Sequence, residues 1–151
     1  MAYTPRGLNF EELEVGATFT TASRTITEAD VVAFAGLSGD WNPLHTDETF
    51  AQKTPFGTRI AHGALVLSAA TGLANQSGIW EGTTLALIEM TTKFAGAVRF
   101  GDTIRMEQKV VAKKESSKPD RGVVTVESRV LNQRDETVLE GTWTLLMARK
   151  K

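Results

Sequence analysis

The chain has 151 residues, 41% of them hydrophobic and 23% charged, with a formal net charge of −1. That length and balance describe one globular domain with room for a real core, and they exclude a disordered chain. A charge near zero with no Lys/Arg block gives no electrostatic ground for a nucleic-acid partner. The absence of cysteine excludes disulfides, thiolate metal sites and a cysteine nucleophile.

The opening MAYTPRGLNFEELEVG lacks the basic-then-apolar pattern of a secretory signal. The longest apolar stretch, IAHGALVLSAATGLA at 60–74, is too short and too interrupted for a membrane span. These features predict a cytoplasmic protein with no membrane partner, folded as a single domain over residues 1–151. ATFTTASRTI at 17–26 is rich in threonine and β-branched residues and reads as a first strand. Thr27 then opens T-E-A-D, where Asp30 completes a capping-box pattern for a short helix with Val31, Phe34 and Ala35 on one face. Gly36 and Gly39 end it.

SGDWNPLHTD at 38–47 follows at once. Pro43 has no N–H and pushes Asn42 out of helical geometry, so residues 40 to 45 are expected in a loop, with Leu44 anchoring it in the core. DETFAQK at 47–53 reads as a second short helix, capped by Thr46 or Asp47, and TPFGT breaks it. The segment 60–74 then places small and aliphatic residues around its whole circumference, the pattern of a helix surrounded by protein.

From Thr83 the period changes to two. Ala86, Ile88, Met90 and Phe94 share one face, as do Ile104, Met106 and Val110. Val124, Val126 and Val130 form a third such row, and Leu139, Trp143, Leu145 and Met147 a fourth. Turn-like separators between these runs predict antiparallel neighbours. The class is α+β, with a sheet of about five strands wrapped around one central apolar helix. One such sheet does not cover an all-apolar helix by itself, which predicts a homodimer or a dimer-based higher oligomer joined at sheet edges.

The chemistry concentrates in SGDWNPLHTD. In a loop, Asp40 and His45 can turn toward one point. His45 is expected ahead of a helix start, whose partial positive charge keeps the ring neutral. Partial desolvation of Asp40 would raise its pKa. Two titratable groups in different environments suit acid–base catalysis. The residues equally allow a capped turn with no catalysis, because Gly-Asp and Asn-Pro are ordinary turn formers.

G-D-W-N-P-L-H at 39–45 resembles the signature G-D-x-N-P-x-H of the MaoC-like hydratases, the (R)-specific enoyl-CoA hydratases of the hotdog superfamily. R-I-A-H-G-A-L at 59–65 and V-R-F-G-D-T-I at 98–104 are similar to two further landmarks, in family order and spacing. The resemblance covers nearly the whole chain. It implies a hotdog fold and the reversible hydration of a trans-2-enoyl-CoA to an (R)-3-hydroxyacyl-CoA. Asp40 and His45 would be the catalytic pair holding one water, and Asn42 would orient the loop or the water.

The backbone N–H of Gly63, near the start of the central helix, is the expected oxyanion donor. Thr71 is a weaker supporting position, and His62 is expected as a buried ring bonded to backbone. Lys93, Arg99 and Arg59 are candidates for the coenzyme A phosphates, and Trp41 and Trp80 for walls of the acyl pocket. No Walker or Rossmann glycine pattern and no H-E-x-x-H occurs. No metal and no cofactor is expected beyond the coenzyme A carried by the substrate. Three alternatives stay open: dehydration of a 3-hydroxyacyl group on acyl carrier protein, a hotdog thioesterase, and a non-catalytic acyl-binding module.

Overall fold

A computed structural model describes residues 1–150. The long strands are β5 (Thr103–Glu115), β6 (Arg121–Leu131) and β7 (Thr137–Ala148), paired antiparallel in that order. Their buried positions alternate as the period-two reading expects. Ile104, Met106, Val110, Val124, Val126, Val130, Leu139, Trp143, Leu145 and Met147 are all buried on one face.

The sheet has seven strands rather than about five. β1 (Thr18–Thr20) and β2 (Arg24–Thr25) both pair with β5; β3 (Thr84–Met90) and β4 (Lys93–Phe94) both pair with β7. Each extra strand is a two-residue continuation across a break. At both breaks a threonine hydroxyl replaces a ladder carbonyl: Met106 N–H donates to Thr21 Oγ1 at 3.0 Å, and Thr142 N–H donates to Thr91 Oγ1 at 3.0 Å. A side chain that takes the ladder's donor interrupts the strand while keeping its direction.

The central helix α4 runs Gly63–Gln76 and lies against β5. Leu65, Val66, Ala69, Ala70, Leu73 and Ala74 are buried in the same cluster as the inward sheet residues. Each Leu or Val so buried contributes about 2 kcal/mol. The expectation of a helix enclosed on all sides does not hold within one chain. Ala64, Ser68 and Asn75 are exposed along one stripe, flanked by half-buried Thr71 and Gly72. β3 departs from alternation as well. Leu85, Ala86, Leu87 and Ile88 are all exposed, because β3 is the sheet's edge strand, and only its ends, Thr84 and Met90, are half-buried. No helix among the described residues is long and apolar enough to cross a membrane.

Candidate active site

Helix α1 (Glu28–Ser38) delivers the signature segment. Thr27 caps it as the sequence implies: Asp30 N–H donates to Thr27 Oγ1, and Thr27 N–H donates to Asp30 Oδ2 at 2.9 Å. The helix passes through Gly36 and stops at Gly39, whose φ of 77° lies in the left-handed region that glycine enters without strain. Its N–H closes the last turn on Ala35 O.

Beyond Gly39 the chain turns on side chains. Asp40 Oδ1 accepts from Asn42 N–H at 3.1 Å, and Asn42 Oδ1 accepts from Leu44 N–H at 3.0 Å. Asn42 is thereby the N-cap of a new helical turn, α2 (Pro43–Thr46), with Pro43 at the first helical position that proline favours. The expected loop is therefore half helix, since a proline that ends one helix is well placed to begin the next. His45 lies in the last turn of α2 and, as expected, just ahead of the next helix start. α3 (Glu48–Ala51) begins three residues later with Asp47 as its cap. Leu44 is only half-buried; its carbonyl accepts from Ile60 N–H.

The side chains converge. One heteroatom from each of Asp40, His45 and His62 lies within 4.8 Å of the other two. His45 Nδ1 is 2.7 Å from the carbonyl oxygen of Ile60. A carbonyl only accepts, so in the neutral ring Nδ1 carries the hydrogen and Nε2 presents the lone pair. Asp40 is exposed in the single chain, contrary to the expected desolvation, and one of its oxygens is held in the turn.

His45 and Gly63 line one cavity of about 460 Å³. Its other walls include Phe56, Ile60, Val66, Phe94, Val98 and Leu139, an apolar lining suited to an acyl chain. Gly63 is the first residue of α4, where the N–H has no intrahelical partner. Phe94 packs directly on it: a Cβ at Gly63 would lie 2.5 Å from Phe94 Cε1. Only glycine permits that approach.

The remaining candidates separate. Thr71 Oγ1 donates to Ser68 O within its own helix and does not line this cavity. Trp80 is a core residue instead of a pocket wall. It is 6% exposed, with its indole N–H on Gln108 Oε1 and an edge-to-face contact with Phe19. Trp41 is exposed and outside the cavity lining. Arg59 is held by Glu28 and Glu48 and lies over the Phe100 ring; the hydrogen bond it donates to Glu28 raises its pKa further. Lys93, on edge strand β4, pairs with Glu140 of β7. Of the three side chains only that of Arg99 has no carboxylate partner among the described residues, and its Nη2 donates to the carbonyl of cavity-lining Phe56. The sequence reading did not name Phe56 and placed Phe94 in an apolar strand row; both instead line the cavity and are exposed in the single chain.

An exposed carboxylate, a half-buried imidazole and the first N–H of α4 thus lie close to an apolar cavity on a helix-wrapping antiparallel sheet. The MaoC-like domain model matches residues 11–132, and the chain belongs to that family. It is 43% identical over 108 residues to the 3-hydroxybutyryl-CoA dehydratase of Methylorubrum extorquens. That match covers 70% of this chain and 65% of the relative, so the chain corresponds to less than two thirds of that protein. It is 34% identical over 126 residues to the (R)-specific enoyl-CoA hydratase of Aeromonas caviae, covering 83% of this chain and 89% of the relative.

The crystal structure of a MaoC-like dehydratase from Rhodospirillum rubrum superposes with a TM-score of 0.86 at 31% identity, over 96% of this chain and 99% of that one. A double-hotdog protein from Mycobacterium tuberculosis superposes at 0.83 with 21% identity, over 98% of this chain and 46% of that one. The fold is a hotdog.

Proposed function

We propose that this protein adds water across the double bond of a trans-2-enoyl-CoA to give an (R)-3-hydroxyacyl-CoA, and runs the reverse dehydration. The observation that carries the reading is that a heteroatom of Asp40 lies within 4.8 Å of one of His45, whose ring lines one apolar cavity together with Gly63. Two hydrogen bonds of about 2.8 Å meeting at a tetrahedral oxygen span about 4.6 Å, so a separation of at most 4.8 Å suits one bridging water.

As that water attacks C3, its proton passes to the pair and its oxygen becomes the hydroxyl. The double-bond electrons move onto the thioester oxygen, where the Gly63 N–H meets the developing charge. The pair then returns a proton to C2, so both hydrogens of the water end on the product. Asn42 supports the pair by capping α2, which fixes where His45 emerges. Arg99 is the favoured contact for a coenzyme A phosphate at the cavity mouth.

The chemistry as proposed uses no metal or other cofactor. α4 carries no carboxylate, which disfavours a thioesterase of the kind that uses one there. The proposal includes a single domain, a cytoplasmic location and a homodimer paired through β3. β3 is a free edge whose exposed Leu85, Leu87 and Ile88 a second copy would cover.

The test is an absorbance assay with crotonyl-CoA and a longer enoyl-CoA, run with a thiol reagent. Loss of the conjugated thioester signal without free thiol is the expected result. Thiol release would mean hydrolysis, and silence in both channels would favour a carrier-protein substrate or a non-catalytic module.

A further inference from the structure

His62 is 2% exposed and occupies the N-cap position of α4, yet its side chain makes no capping bond. A histidine present for the helix would turn toward the free N–H groups of the first turn. This ring turns the other way. Its Nε2 is 2.9 Å from the backbone carbonyl of Asp40, so Nε2 carries the hydrogen and donates. Its ring centroid lies 3.9 Å from that of His45 with the planes tilted by 31°, and Phe34 also packs on it at 5.0 Å between centroids. Its Nδ1 has no hydrogen-bond partner among the described residues. The ring thus touches both members of the acid–base pair.

We infer that His62 is a positioning residue for the reaction, tying the Asp40 turn to the His45 ring through one buried imidazole. The Asp40 segment leaves α1 through a glycine and is otherwise held by short turn bonds, several of them to side chains of neighbouring residues. The bond from His62 Nε2 anchors its backbone to α4, the element that also carries the Gly63 N–H. The stacked face restricts His45 to the plane in which Nδ1 reaches Ile60 O, which keeps Nε2 as the lone-pair nitrogen. Acid, base and oxyanion donor then move as one body. This inference rests on the acid–base reading above.

The chain has only two histidines, so ring nitrogens are resolvable by ¹⁵N NMR, and any His62 variant leaves His45 as the sole signal. In His62→Asn the amide is too short for the Asp40 carbonyl and the ring face is gone; in His62→Gln the amide reaches the place of Nε2. His62→Asn is expected to lower kcat for crotonyl-CoA hydration about 100-fold, the usual size of an ångström-scale misplacement. KM should stay within about threefold, and His62→Gln should regain at least about tenfold of the lost kcat.

In His62→Asn the two His45 nitrogens should lose their distinct protonated and unprotonated shifts. A kcat near wild type in His62→Asn, or a His62→Gln variant no better than it, overturns the inference. If His62→Asn does not fold, His62→Phe takes its place as the donor-free variant against the same His62→Gln comparison. If the wild type hydrates nothing, the NMR decides. A His45 that keeps its single tautomer in His62→Asn overturns the inference, whereas tautomer averaging upholds it and places the error in the assigned reaction.

Discussion

Asp40 and His45 are separated by a capped helical turn, so each can be replaced without touching the core. Asp40→Asn keeps the acceptor for Asn42 N–H, and His45→Gln keeps a polar group of similar length. Each is expected to leave circular dichroism unchanged while cutting hydration by at least about 100-fold, the lower range for a lost acid or base. Near-normal turnover in a folded variant would remove that residue from the chemistry. At Gly63 the constraint is space. Any side chain there displaces the Phe94 ring, which is 59% exposed and free to swing into the acyl cavity. Gly63→Val should lower kcat/KM by about 100-fold or more, on the scale of a lost oxyanion donor. Unchanged kinetics would place the oxyanion hole elsewhere.

At the scale of elements, β7 carries a position where only hydrogen fits. A Cβ on Gly141 would overlap the carbonyl oxygen of Thr91, at the break where the edge strand crosses from β3 to β4. Backbone cannot swing aside as a side-chain tip can, so Gly141→Ala should destabilise by about 1–3 kcal/mol in urea unfolding. The alternation of β5, β6 and β7 was legible in the sequence, because strands with one face on the core must repeat apolar residues every second position. β3 carried a similar pattern and buried almost none of it, since an edge strand's surroundings come from outside the chain. The capping box of α1 was legible too, because its bonds lie within four residues. The start of α2 was missed where Pro43 was read only as a stop.

At the scale of the whole molecule, the chain ends are clasped. Arg149, just beyond β7, bonds Glu11, and Lys150 bonds both Glu11 and Glu12 near the N-terminus. The hydrogen bond from Arg149 holds the Glu11 carboxyl at about 2, down from its usual 4.5. A carboxyl lowered on folding adds stability above its unfolded pKa and loses it as pH falls through the folded one. Thermal stability should therefore decline from about pH 4.5 toward pH 2, and Glu11→Gln should flatten part of that decline. A Glu11→Gln profile matching wild type would deny the clasp that role. The free β3 edge makes a second prediction at this scale. Wild type should sediment as a dimer, and Leu87→Lys with Ile88→Lys should give monomers. A wild-type monomer would refute the paired edge.

The sequence by itself determined the class of fold, the capped start of α1 and the signature that carries Asp40 and His45. Those features follow from local bonds, from periodicity and from a short contiguous motif. Only the tertiary structure decided how the pair is held. His62 is separated from Asp40 by 21 intervening residues of chain, and its stacking on His45 exists only once α4 packs beside α2. The same holds for Phe94 over Gly63 and for Arg59, whose charge went to Glu28 and Glu48. Contacts between distant segments depend on where packing brings them. A linear pattern names the residues able to do chemistry, and the folded core sets which of them meet.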